Sequence, residues 1–386
     1  MLCAVGLPPT LVFASEDIRV SLADDATQIV LEASHPITLR FPSGQRVIET
    51  APLTIQPSGR GLSVNGRQLA FQKLVAKAKR GGLTLSLRGS RSGRSRGSKT
   101  KEWSLRGKVE LQRQGSKVLV VNHVDVEAYV AGVVTGEINR NWHPEALRAQ
   151  AVAARTYVLY KKMMNRQQAY DVVSSVQDQV YRGQAQVNSA VKSAIQSTKG
   201  QVITYQDAPI LAAYSSTAAG PTEDAAYVWD VDVPYLKGVE CPFDDQSPRF
   251  RWRAAVSLEK LEQKFRKLDY AVGTIATITP FSRTPSGRID QIRILHSRGE
   301  LILRGQDFRR VAGYSTVYST QFTIESMGRE LILVGKGAGH GVGLCQWGMK
   351  EMAELGYSYE AIVRYYYPGT ELLPLSQVKL SPPLVH

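Results

Sequence analysis

The chain has 386 residues, of which 43% are hydrophobic and 21% charged, and its net charge is +14. That length and apolar content suit a globular protein with several layers or subdomains, and they exclude a disordered chain or a small disulfide scaffold. The cysteines Cys3, Cys241 and Cys345 are too few and too scattered for a disulfide framework or a zinc knuckle, although one pair can form.

Residues 1–15 are apolar, lack a basic leading region and are interrupted by Pro8 and Pro9. They are too short to span a bilayer and look like the tail of a signal peptide, with a small-residue end at Val12-Phe13-Ala14. No later segment reaches the length of a membrane helix. The expectation is an extracytoplasmic protein, periplasmic or in the cell envelope, whose export signal is truncated here.

Residues 16–107 read as a strand-rich region. IRVSLA, QIVLEA, ITLRF, LTIQP, LSVNG and LTLSL are short alternating runs broken by Gly, Pro and Asn. From Lys73 to Lys101 there are ten Lys or Arg and no acid. The stretch 88–101, RGSRSGRSRGSKTK, is rich in Gly and Ser and has no periodicity, so it reads as a basic loop. Such a loop is either a solvated hairpin tip or a contact for an anionic polymer or membrane surface. No aromatic residues are interleaved with the charges, so nucleic acid is not an expected partner.

A hairpin over 108–121 turns near Gln114-Gly115, and Asp125 then stands as the N-cap of a helix with Glu127 in its first turn. Val126, Tyr129, Val130, Val133 and Val134 share one face of that helix, and Glu137 is the next position on it. Either the helix stops at Gly136 and Glu137 is solvated, or a carboxyl sits where water is scarce. Burial disfavours the charged form of a carboxyl, which suits a general acid working near neutrality. Pro144 marks the first position of a second helix, rich in Ala and Leu, that runs to about Met164. Arg155 lies among its small residues, where a charge must find a partner.

Residues 172–183 read as irregular or strand, 186–198 as a short helix, and QVITYQ and PILAAYSST as two strands. The small-residue turn 215–222, SSTAAGPT, lets backbone approach a ligand closely. Tyr235 and Lys237 share a face if DVPYLKGV is extended. Residues 250–322 form an α/β piece with a helix near 258–267 and a hairpin turning at Ser286-Gly287. The run GKGAGHGVG, 335–343, places five glycines around His340 and leads into a helix that begins near Gln346. It matches neither the P-loop nor the dinucleotide pattern. A glycine loop of this kind cradles an anion on its N–H groups or comes close to a substrate and presents His340 and Gln346. There is no His-Glu-x-x-His or Cys-x-x-Cys.

Four segments, VDVEAYVAGVVTGEI, HPEALRAQAVAARTY, YSSTAAGPTEDAAYVW with VPYLKGV, and GKGAGHGVGLCQWGMKEMAELGYSYEAIVRYYYPGTEL, resemble in this order the motifs of the stage II sporulation protein D (SpoIID) family. That family includes the LytB amidase-enhancer proteins. The likeness covers about residues 108–373. It implies a lytic transglycosylase acting on peptidoglycan glycan strands, with its catalytic glutamate at Glu137. Arg155, Tyr235, Lys237, His340, Gln346 and Ser216 are then expected to bind substrate. Its enhancer members imply a second reading, a non-catalytic partner of an N-acetylmuramoyl-L-alanine amidase. Val173 and Asp178 stand where some members carry a zinc-binding cysteine pair ahead of Gln179-Val180-Tyr181, so no metal and no cofactor are expected. The expected fold is α+β. A strand-rich N-terminal layer (16–107) precedes a mixed α/β core with a catalytic cleft (108–373), which holds an inserted α/β subdomain at 250–322, and a tail follows at 374–386.

Overall fold

The computed structural model describes residues 17–88 and 101–379. The expected signal remnant and nearly all of the basic loop lie outside the described residues. The chain divides into two compact units. One comprises residues 1–140, 158–201 and 374–386, and the other residues 141–157 and 202–373.

The first unit is built on two sheets. Seven strands lie in the order Val172–Val173, Asp17–Ala26, Lys117–Asp125, Lys108–Gln114, Lys73–Ala78, Ile37–Arg40, Arg46–Glu49. Six lie in the order Lys101–Leu105, Leu83–Arg88, Gln28–Glu32, Leu53–Ser58, Gly61–Val64, Arg67–Leu69. All pairings are antiparallel except the short parallel contact of Val20 and Ser21 with Val172 and Val173. Every expected run of this region falls on a strand. The pattern comes from alternation: Ile29 and Leu31, Leu53 and Ile55, and Leu83, Leu85 and Leu87 turn inward while their neighbours stay wetter. Lys73–Ala78 and Lys101–Leu105 are strands that the periodicity did not single out, because Lys and Glu at their outward positions mask the alternation.

Lys117–Asp125 is buried almost throughout from Val118 to Val124, as a strand covered on both faces should be. It runs without a loop into helix α1, Val126–Glu137. The Asp125 carboxylate accepts the Ala128 N–H at 3.0 Å, as an N-cap should. The predicted stripe is buried, and so are Ala128, Ala131 and Gly132 on the flanks, so α1 is covered over most of its circumference. Helix α2, Pro144–Met164, belongs to the second unit up to Tyr157 and to the first from Val158. Helix α3, Ser189–Ser197, is capped by Asn188, whose side chain accepts the Val191 N–H at 3.0 Å.

In the second unit, the strands Arg251–Ser257, Glu330–Lys336 and Phe322–Met327 form one antiparallel sheet. Ile275–Arg283, Ile289–His296 and Gly299–Arg304 form another. Helix α4, Ala226–Trp229, is a single turn. Helices α5, Leu258–Lys267, and α6, Gly305–Ala312, share a core with both sheets through Leu261, Phe265, Ile292, Phe308, Phe322 and Leu333. Helices α7, Gln346–Glu354, and α8, Tyr359–Tyr366, follow the glycine loop. The fold is α+β, as the sequence indicates.

PILAAYSST is a strand over only two short pieces, Ala208–Pro209 and Tyr214–Ser215. Between them the backbone curls on itself, with Ala212 N–H to Ile210 carbonyl at 2.9 Å and Ala213 N–H to Leu211 carbonyl at 2.7 Å. Small side chains permit this tight path, and local bonds take the place of a ladder.

Candidate functional site

In the first unit, α1 does not stop at Gly136. It ends on Glu137, which is half-buried. Residues 179–184 pass along the helix. The Tyr129 hydroxyl donates to Gln179 Oε1 at 2.8 Å, the rings of Tyr129 and Tyr181 stack with centroids 5.3 Å apart, and Gln184 Nε2 donates to the Ala128 carbonyl at 2.8 Å. The Arg182 N–H reaches the Gly132 carbonyl at 3.2 Å. Gly132 and Gly136 make this approach feasible. A Cβ on Gly132 would meet the Tyr181 ring at 2.6 Å, and one on Gly136 would overlap the Val180 carbonyl oxygen. At the end of this contact the Val180 N–H donates to Glu137 Oε1 at 2.6 Å. A backbone donor therefore fixes the carboxyl in place. Asp178 pairs with Lys161 at 2.9 Å and accepts the Val173 N–H at 2.9 Å, so positions 173 and 178 are tied to each other by a hydrogen bond.

In the second unit, the glycine loop packs on the small-residue turn. Thr217 and Ala338 exchange both backbone hydrogen bonds at 2.9 Å, and the Glu223 N–H reaches the Gly341 carbonyl at 2.9 Å. Gly339 and Gly341 have φ of 108° and 84°. A Cβ on Gly339 would lie 2.5 Å from the Ser215 Cβ, and one on Gly341 would lie 2.7 Å from the Arg288 guanidinium. The glycines therefore answer to backbone conformation and close packing. The N–H groups of Gly337, Ala338, Gly339, Gly341 and Val342 all bond within the chain, which leaves no run of donors to cradle a phosphate. Of the two sequence readings, the anion cradle is the one this geometry removes.

His340 is half-buried against Trp229, with ring centroids 4.8 Å apart, and its Nδ1 accepts the Val342 N–H at 3.1 Å. Burial, with the charge of Arg309 behind it, pulls its pKa down to about 3, so the imidazole is neutral at physiological pH. Gln346 opens α7, is buried and donates to Gln150 Oε1 of α2 at 3.3 Å. Ser216 is half-buried, and its carbonyl accepts the Trp347 N–H at 3.1 Å. Ser216, His340 and Gln346 thus sit on, or directly beside, one network of loop and turn.

Arg155 is fully buried within α2 and is not a solvent-facing cation. The Tyr235–Lys237 expectation needs correction, because Pro234–Leu236 is a 3-10 turn and not an extended segment. At three residues per turn, positions two apart do not share a face. Tyr235 is buried against Tyr205, with ring centroids 5.6 Å apart, whereas Lys237 is half-exposed and pairs with Asp224 at 3.1 Å and Asp232 at 2.5 Å.

Sequence reasoning missed Glu223 and Arg288. Both are buried. Glu223 Oε2 accepts the hydroxyls of Thr284 at 2.7 Å and Ser286 at 2.8 Å. Arg288 donates to the Pro221 and Ala218 carbonyls, each at 2.8 Å, and so braces the turn under the loop. The only available signal was an acid placed directly after a small-residue turn.

Comparison with known proteins defines the class. Residues 114–205 match SpoIID, described as Stage II sporulation protein, and residues 234–343 match a domain of unknown function. The chain is 34% identical over 270 residues to the Stage II sporulation protein D of Bacillus subtilis, covering 65% of this chain and 75% of that protein. It is 34% identical over 262 residues to an uncharacterized protein of Brachyspira hyodysenteriae, covering 68% and 70%. It is also 30% identical over 292 residues to the Amidase enhancer of Bacillus subtilis, covering 62% of this chain and 40% of that protein. The chain belongs to the SpoIID family.

Proposed function

We propose that this protein is an extracytoplasmic peptidoglycan lytic transglycosylase with Glu137 as its acid and base. The supporting observation is the half-buried carboxyl at the end of α1, positioned by the Val180 N–H at 2.6 Å within the segment that matches the family. Protonated Glu137 donates to the glycosidic oxygen between N-acetylmuramic acid and N-acetylglucosamine. The carboxylate so formed takes the proton of the C6 hydroxyl of the same muramic residue, and that oxygen closes on C1. The C1–O bond to the leaving sugar breaks, a 1,6-anhydro ring forms, and Glu137 regains its proton. One carboxyl suffices, unlike the two-carboxylate hydrolytic scheme.

Lys237 is the accessible cation among the candidate residues and suits the lactyl carboxylate of a strand stripped of stem peptides. Arg155, Tyr235 and Gln346 are buried and act from within the fold, by shaping the elements that carry Ser216 and His340. The test is mass spectrometry of amidase-treated sacculi incubated with the protein, where anhydromuramyl ends are expected. Their absence, together with stimulation of an added N-acetylmuramoyl-L-alanine amidase, would replace this reading with the enhancer role, which the similarity to the Bacillus subtilis Amidase enhancer favours. In that role the partner is the amidase, and the basic segment 88–101 is its docking element.

A further inference from the structure

We propose that Cys241, Asp244 and Cys345 form a structural binding site for one thiolate-preferring divalent cation of the zinc class. The sequence pointed to no metal, from Val173 and Asp178 and from the wide spacing of Cys3, Cys241 and Cys345; the fold brings two of those cysteines together. This site lies wholly in the second unit and does not depend on the catalytic reading.

All three residues are buried, and one ligand-type atom from each lies within 4.8 Å of the others. A tetrahedral ion with bonds of about 2.3 Å to sulfur and about 2.0–2.2 Å to oxygen holds its ligand atoms roughly 3.5–3.8 Å apart. The observed separation of 3.2 Å between Cys345 Sγ and Asp244 Oδ2 needs only a small adjustment to reach that spacing. The Cys241-Pro-Phe-Asp244 turn supplies two of the ligands, and the Phe243 N–H points back to Cys241 Sγ. Cys345 caps α7, and its sulfur receives the N–H groups of Gly348 at 3.4 Å and Ala218 at 3.3 Å. Backbone N–H groups are thus aimed at both sulfurs, as around a metal-binding pair.

Asp244 decides between an ion and a simple disulfide. Its Oδ2 accepts the Ala218 N–H at 2.7 Å, the Ala219 N–H at 2.8 Å and the Cys345 thiol. Its Oδ1 is buried without a hydrogen bond. A buried carboxylate left half-satisfied is costly. A Cys241–Cys345 disulfide would remove the thiol donor and leave Oδ1 as it is. A cation instead compensates the carboxylate directly. Two thiolates and one carboxylate exceed a divalent ion by one negative charge, and buried Arg288, which also faces Glu223, lies within electrostatic reach of all three ligands. Sulfur ligands select zinc over magnesium or calcium. Tyr366 Oη, 3.3 Å from Cys241 Sγ, or a water completes the coordination. Binding displaces the two thiol protons to solvent. The ion would staple the segment after the Tyr235–Lys237 turn to the end of the glycine loop, directly beside Gln346.

The test is titration of the reduced, metal-stripped full chain with Co²⁺, read by thiolate-to-cobalt charge-transfer absorption. One ion per chain is expected, with displacement by Zn²⁺ and protection of Cys241 and Cys345 from alkylation until a chelator is added. Asp244→Asn should retain the band with affinity lowered on the order of tenfold or more, and the Cys241→Ser/Cys345→Ser double variant should lose it. The wild-type spectrum decides the matter even if a variant fails to fold. A folded, reduced chain with no charge-transfer band at saturating Co²⁺ overturns the proposal. So does a Cys241–Cys345 disulfide in protein whose thiols were blocked at lysis.

Discussion

Glu137→Gln separates catalysis from architecture. The replacement keeps the side chain's size and an oxygen acceptor for the Val180 N–H now at 2.6 Å from Oε1. The Val180 N–H keeps a carbonyl-type acceptor, so the bond changes by no more than about 1 kcal/mol. Against a typical stability of about 5–15 kcal/mol, the variant stays folded. The reaction loses its only proton donor and acceptor, which costs about 10²–10⁴ in rate, or roughly 3–5 kcal/mol of barrier. The expected signature is therefore a collapse of anhydromuramyl product formation with a denaturation midpoint close to wild type. Glu137→Asp keeps the chemistry but withdraws the carboxyl by one methylene, and a misplacement of that size costs about 10². The assay is a mass-spectrometric time course on amidase-treated sacculi, alongside chemical denaturation of the same preparations. Product formation by Glu137→Gln within about tenfold of wild type would refute the acid–base role.

Gly136→Ala should push the Val180 carbonyl off the helix at a cost of about 1–3 kcal/mol, more than the roughly 1 kcal/mol that alanine gains in helix propensity. Urea denaturation checks this, and a neutral or stabilised variant would show that the contact is not tight. His340 titrates well below its unfolded value, so the unfolded chain takes up the proton first. The stability it contributes is complete above about pH 6.5 and is lost as pH falls toward about 3, with a slope of at most about 1.4 kcal/mol per pH unit. His340→Gln should flatten that slope in denaturation series at pH 7 and pH 5, and equal slopes in the two proteins would contradict it. Lys237→Ala should leave the melting temperature unchanged, because its two ion pairs are solvent-screened, and should raise KM for carboxylate-bearing strands without altering kcat. A fall in kcat alone would assign Lys237 a different role.

The elements legible in the sequence are those in which local chemistry and tertiary context agree. Asp125 caps α1 and the strand alternation of the first unit follows the pleat, both readable from nearest neighbours. Glu137 stood out because its position extends an apolar stripe. The stripe could not say what lies beside it. That information sits in Gly132 and Gly136, four residues apart on α1, which look like helix-weakening residues until residues 179–184 are seen packed on them. The glycine loop shows a related limit. Five glycines around a histidine signal close approach, and one approaching group is the chain's own turn at 215–222, held from below by Arg288 far along the sequence. Tyr235 and Lys237 show the opposite limit, where Pro234 starts a 3-10 turn that separates two residues which an extended reading places together. In each case the missing information was the identity of the neighbour. Spacing along one chain segment cannot supply it when the neighbour arrives from tens to over a hundred residues away, as Asp244 does for Cys345.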